Sequence, residues 1–215
     1  MSQQKLDLIK PFGPYIAKIK IPDDIVEKLN NYVDKIILDE EKSIKQNAGK
    51  RLVGNVTQEF QIDNEFSNSC GWNKLLHQAT SKFIEVTLEK KINDFVITDT
   101  WIVRQFQNEY NPIHFHSAHI SGAGFLKVPK TLGNFSQEEQ KKGKYYPGGN
   151  LNLIHGSRMF LSQSSMFIKP EVGDFYFFPH YLMHLVYPFK DSTEERRSIS
   201  FNAKIDEDIF NVYGE

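Results

Sequence analysis

The stretch NPIHFHSAHISGAGFLKVP, residues 111–129, governs how the rest of the chain is read. Two β-type runs lie in it, His114–Ser117 and Ile120–Val128, framed by Pro112 and Pro129. In an extended strand, residues two apart point to the same face. That alternation predicts that His114 and His116 aim both imidazoles at one point. A neutral imidazole is a ligand for Fe, Zn, Cu or Ni.

The same texture continues on both sides. Phe95–Phe106, Asn150–Ile154, Met166–Ile168, Asp174–Phe178, His184–Tyr187 and Arg197–Lys204 are further short runs bounded by Gly, Pro, Asn and Asp. About eight short strands at this spacing predict a sandwich or jelly roll. The interruption at 129–149, with Tyr145 and Tyr146, is long enough to serve as a cover or substrate wall over a site. Upstream of Asn93 the pattern is mostly helical. Residues 13–21 alternate as a strand. Pro22-Asp23-Asp24 opens a helix whose apolar stripe, Ile25, Leu29, Tyr32, Val33 and Ile36, runs to about residue 42. Residues 43–57 are polar and read as a loop. A second helix spans Asn73–Lys91, and both helices are expected to cover one face of a sheet.

A chain of 215 residues with 40% hydrophobic content fits one domain, with 1–94 as a helical flank and 95–205 as a β core. The net charge of -1 carries no basic field, so nucleic acid is not an expected partner. One cysteine, Cys70, excludes an intramolecular disulfide and a thiolate zinc site, and reads as a small packing residue in a reducing cytosol. The N-terminal MSQQKLDLIKPFGP lacks the apolar run of a signal peptide, and no stretch approaches the roughly 20 apolar residues that span a bilayer. A soluble cytoplasmic protein is expected. Its oligomeric state is left open, and a homodimer is compatible with the composition.

His184 closes the run Phe178-Pro179-His180-Tyr181-Leu182-Met183-His184, and Arg196 follows 12 residues later. Three imidazoles on one face of an octahedral Fe(II) leave positions for O2 and a bidentate cosubstrate. An arginine fork then suits the cosubstrate's far carboxylate. Arg196, Ser198, Ser200 and Asn202 share one strand face, which puts Ser198 beside the same carboxylate. Arg197 faces the other way unless the register slips by one. Arg104 reads as a structural ion-pair partner. His119 and, more weakly, Asp174 compete with His116 for the second ligand position. His77, His155 and His180 read as non-ligands.

The stretches 111–129, PGGNLNLIHG (147–156), KPEVGDFYFFPHYLMHLVYP (169–188) and EERRSISFNAKI (194–205) together resemble the iron(II)- and 2-oxoglutarate-dependent oxygenases, more narrowly an oxygenase family related to the prolyl 4-hydroxylases. The resemblance implies a mainly β (α+β) fold, a double-stranded β-helix or distorted jelly roll with flanking N-terminal helices. It also implies Fe(II) held by His114, His116 and His184, with 2-oxoglutarate as cosubstrate and O2 as oxidant. Arg196 and Ser198 would hold the 5-carboxylate, and a C–H bond would be hydroxylated with succinate and CO2 as coproducts. Gln105, nine residues before His114, stands where relatives place a cosubstrate-contacting tyrosine. The substrate is open, a small molecule or a peptide, with a prolyl side chain the first analogy. One departure matters: most of the wider superfamily has His-x-Asp or His-x-Glu, whereas this chain has His-x-His. Two rival readings are a cupin-like metal-binding jelly roll and a catalytically degenerate β-sandwich binding module. The cupin pattern of a Glu soon after His-x-His is absent, since Ser-Ala-His-Ile-Ser-Gly follows His116.

Overall fold

The computed structural model describes residues 5–9, 13–47, 54–134, 136, 142, 145–160 and 163–211. Eleven strands form two antiparallel sheets. β1 (Asp7–Ile9), β2 (Ile16–Lys20), β3 (Gln58–Gln61), β4 (Phe95–Gln105), β6 (Ile120–Lys127), β9 (Asp174–Pro179) and β11 (Arg196–Ile205) make a seven-stranded sheet in the order β1-β2-β9-β6-β11-β4-β3. β5 (Asn111–His114), β7 (Leu151–Ile154), β8 (Ser165–Ile168) and β10 (Met183–Val186) make a four-stranded sheet in the order β5-β10-β7-β8. This is the two-sheet architecture of the double-stranded β-helix.

The helices α1 (Asp23–Ile37) and α4 (Trp72–Leu88) cover the outer face of the larger sheet. Leu29, Val33, Trp72 and Leu76 pack there with Ile102, Phe175, Phe177, Ile199 and Phe201. A second core lies between the sheets, built by Ile16, Phe125, Leu151, Leu153, Tyr176, Phe178 and Val186. No helix among the described residues is long and apolar enough to cross a membrane.

Several boundaries differ from the sequence reading. The first helix stops at Ile37, because Leu38 is 88% exposed and Asp39 caps a separate α2 (Glu40–Gln46) by accepting from the Lys42 backbone N–H. Helix α2 therefore occupies part of the expected loop. The short α3 (Asn64–Ser69) precedes α4, and α5 (Glu207–Phe210) follows β11. The first 94 residues contribute more than helices: β2 pairs with β9 and β3 pairs with β4, at opposite ends of the large sheet. The β-run expected at His114–Ser117 is displaced. β5 ends at His114, and the His116 N–H bonds to the His180 carbonyl instead of continuing the ladder. Within the 129–149 interruption, residues 135, 137–141, 143 and 144 lie outside the described residues.

Candidate active site

The long antiparallel pairs place one face of β4 and β11 toward the smaller sheet. Arg196 stands opposite Gln105, and Ser198 lies between Val103 and Phe125. Facing them, His184 on β10 is the direct cross-strand partner of His114 on β5. A cavity of 410 Å³ opens between these elements, lined by the three histidines, Trp101, Phe125, Arg196 and Ser198 among others.

His114, His116 and His184 have ligand atoms that all fall within 4.8 Å of one another. The Nε2 atoms of His116 and His184 are 3.1 Å apart. Two nitrogens bound at right angles, each about 2.1 Å from a metal, stand about 3 Å apart, so this spacing fits neighbouring ligands of one ion. Backbone carbonyls fix two of the rings. His114 Nδ1 lies 2.7 Å from the Pro112 carbonyl and His184 Nδ1 lies 2.9 Å from that of Leu182. An Nδ1–H donating to each carbonyl leaves the Nε2 lone pair for a metal. Burial, reinforced by the neighbouring imidazoles, holds His184 at about 3 and His116 at about 4. His114 is lowered by burial as well. All three are therefore neutral near pH 7, which is the ligating form. His114 and His116 converge although they do not share a strand, because the chain turns after β5 and Trp101 packs its ring 5.6 Å from that of His116.

Arg196 is fully buried at 1% exposure. Its Nε donates to the Gly149 carbonyl at 2.9 Å, and its Nη1 donates to Gln105 Oε1 at 3.1 Å and Ser198 Oγ at 3.4 Å. The Gln105 amide is itself oriented, since its Nε2 donates to the Glu109 carbonyl at 2.6 Å. The Phe125 ring lies under the guanidinium, 5.1 Å away. Burial lowers the guanidinium to about 9, which leaves it charged at neutral pH. Among the described residues no carboxylate forms an ion pair with it. A buried cation with only neutral acceptors is costly and calls for an anion.

The other sequence candidates fall elsewhere. His119 is on the far side of the strand: its Nδ1 accepts from the Ile205 N–H at 3.0 Å and its ring stacks on Phe210 at 3.8 Å. Asp174 pairs with Lys18 at 2.7 Å and Lys20 at 3.1 Å. Arg197 points away from the cavity to Asp34 at 2.7 Å and Glu195 at 2.6 Å, and Arg104 also pairs with Glu195. His180 meets the site through the backbone of His116: its Nδ1 lies 3.0 Å from the His116 carbonyl, and its own carbonyl accepts from the His116 N–H at 3.0 Å. Tyr145 donates to no cavity residue but packs on Phe167, and neither Tyr145 nor Tyr146 lines the cavity. The sequence reading missed Trp101, although its even offset from Gln105 puts both on one strand face, and it missed the Gly149 carbonyl. Gly149 has φ 70°, a conformation that favours glycine and turns its carbonyl onto Arg196.

Residues 99–202 match the family model described as "Putative 2OG-Fe(II) oxygenase". That stretch, which carries most of the site, is similar to the 2OG-Fe(II) oxygenase family. Fe(II) and 2-oxoglutarate are the cofactor and cosubstrate that this family match implies. A neutral three-imidazole cluster and an arginine lacking an anion fit both groups. Among solved structures, a Pseudomonas putida prolyl-4-hydroxylase is similar at TM-score 0.57 and 16% identity, covering 87% of this chain and 91% of that one. A viral collagen prolyl hydroxylase from Paramecium Bursaria Chlorella virus-1, in its 2OG complex, has TM-score 0.55 and 16% identity over 91% of this chain and 98% of that one. The non-heme alpha-ketoglutarate-dependent epimerase SnoN from nogalamycin biosynthesis has TM-score 0.56 and 12% identity, covering 87% and 77%. At these identities the likeness is one of fold. A comparison with curated proteins gives no match. The chain thus shares its fold both with hydroxylases and with an epimerase, so its own cavity must be read for substrate.

Proposed function

We propose that His114, His116 and His184 hold Fe(II) and that Arg196 and Ser198, with Gln105 positioning the guanidinium, hold the 5-carboxylate of 2-oxoglutarate, in a dioxygenase that hydroxylates a peptide side chain or small molecule. Residues 1–215 act as one oxygenase domain in this reading. The observation that carries it is the pairing, in one 410 Å³ cavity, of three neutral histidines with a buried arginine that has no carboxylate partner among the described residues. A cupin-like or non-catalytic module would leave that arginine unexplained. The two prolyl hydroxylases that share the fold make a prolyl side chain the first substrate to test.

Bound Fe(II) with 2-oxoglutarate supplies O2 activation coupled to loss of CO2, with succinate formed and a C–H bond oxidised. The chain's own residues bind and orient. The Pro112 and Leu182 carbonyls keep His114 and His184 in one tautomer. Arg196 binds carboxylate through charge-assisted hydrogen bonds, strengthened because its guanidinium is buried. Gln105 and Ser198 accept from the same Nη1 and so hold the guanidinium in place. Phe125, Leu151 and Val186 exclude water from the cavity floor.

The test is anaerobic titration with Fe(II) and 2-oxoglutarate, followed by succinate measurement on admitting air. Iron-dependent succinate that His184→Ala and Arg196→Ala both abolish is the expected result. Iron binding with no affinity for 2-oxoglutarate would overturn the role given to Arg196.

A further inference from the structure

The edge of the same cavity formed by β3 carries a group that the proposed chemistry does not use. Glu59 is 2% exposed and lines the cavity. Its Oε2 is buried with no hydrogen-bond partner among the described residues, and the same holds for Asn111 Oδ1, which also lines the cavity. Buried acceptors without donors are rare in native proteins because desolvating them is costly. Glu59 alternates with Phe60, which belongs to the outer core, so β3 turns the carboxyl inward by its own period. Gly54 keeps the space between the two acceptors open. A Cβ there would stand 2.9 Å from Glu59 Oε1 and closer still to Asn111 Oδ1.

The surroundings select for charge. Asp99 adds a second carboxylate to the lining, and Gln61 adds an amide. Among the described residues the one cationic residue in the lining is Arg196, which is engaged with Gly149, Gln105 and Ser198 and is separated from Glu59 by strand β4. Trp101 and Phe115 also line the cavity, and aromatic faces attract cations.

We infer that Glu59, with Asn111, forms a subsite for a cationic group of the substrate, an alkylammonium or a guanidinium. The inference rests on the oxygenase reading only in calling the bound molecule a substrate. Burial alone pushes Glu59 up to about 7, so its carboxyl is poised near neutrality and an incoming cation draws it into the charged form. The carboxylate would then gain charge-assisted hydrogen bonds that it otherwise lacks.

The test uses the full chain loaded anaerobically with Mn(II) and 2-oxoglutarate. Nα-acetyl-L-lysine methylamide is titrated in by NMR, beside the matching arginine, norleucine and proline compounds. The lysine or the arginine probe should bind about tenfold or more tightly than norleucine and proline. Glu59→Gln should remove that preference. Gly54→Ala, which fills the gap without altering charge, should weaken the cationic probes as well. Equal binding of norleucine, or a cation preference that survives both substitutions, overturns the subsite. Repeating the titration without 2-oxoglutarate separates the two proposals. A lysine or arginine preference in a protein that does not bind 2-oxoglutarate keeps the subsite and removes the oxygenase role of Arg196.

Discussion

Arg196 is the residue whose environment makes the sharpest demand. It is buried against neutral acceptors, and an unpaired charge in that setting destabilises the fold unless an anion arrives. Arg196→Met keeps the length and removes the charge. The variant should unfold in urea at the same or a higher midpoint than wild type, while 2-oxoglutarate affinity falls about 100-fold or more. A clear loss of stability with unchanged 2-oxoglutarate binding would mean that the guanidinium is structural. Glu59 gives a complementary case in pH. Its folded value of about 7 lies above the ordinary 4.5, so the fold retains a proton that the unfolded chain releases. Stability therefore falls as pH rises from about 4.5 to about 7 and levels off above that. Glu59→Gln removes this loss, giving a gain of up to about 3 kcal/mol at pH 8 and none near pH 4.5. Urea midpoints of both proteins at the two pH values check it, and parallel pH profiles would contradict it. Of these two residues only Arg196 was legible in the sequence, through its distance from His184 and the small polar residues on its strand face. Glu59 gave no signal, because its meaning comes from Asn111 and Gly54, which fold beside it from other segments.

At the scale of elements, β6 depends on what it lacks. Gly122 pairs with Phe177 and Phe201 on either side, and a Cβ there would stand 2.6 Å from both the Phe175 and Phe201 rings and 2.7 Å from the Tyr176 carbonyl. The aromatic rings of the outer core occupy the place of its side chain. Gly122→Ala should cost about 1–3 kcal/mol, a fall of roughly 3–10 °C in Tm for a chain of this size. A melt within 1 °C of wild type, on the scale of about 0.5 kcal/mol, would show that the rings can move aside. Strand β6 and its neighbours were readable because long runs end at Gly, Pro and Asp. Strands β1 and β3 were not, since β1 is only three residues long and β3, Gln58–Gln61, carries one apolar residue, Phe60. The break between α1 and α2 was hidden for a different reason: Leu38 reads as apolar, yet it points to solvent while Asp39 caps the next helix. His116 shows the same limit at the site. The two-residue spacing pointed to a pair that the structure does bring together, but a turn after β5 and the His180 carbonyl bring His116 in, not a shared strand.

The whole molecule joins its two proposed functions across the gap between its sheets. His114 and His184 stand on the four-stranded sheet, while Arg196 and Ser198 stand on the seven-stranded one. A ligand chelated at the histidines and gripped by the arginine would tie the sheets together where the inner core gives way to the cavity. Ligand that binds only the folded state stabilises it by about 2.7 kcal/mol at 100 times Kd. For a chain of this length that is a rise of roughly 5–11 °C in Tm. Mn(II) and 2-oxoglutarate added together should therefore raise Tm by this order, and 2-oxoglutarate without metal should give a much smaller shift because it loses its anchor on the histidines. His184→Ala should remove the joint effect while leaving the melt of the ligand-free protein intact enough to measure, since one buried imidazole is lost without leaving a charge behind. The same large shift in His184→Ala would mean that the two ligands bind independently, and the picture of one cosubstrate bridging both sheets would fall.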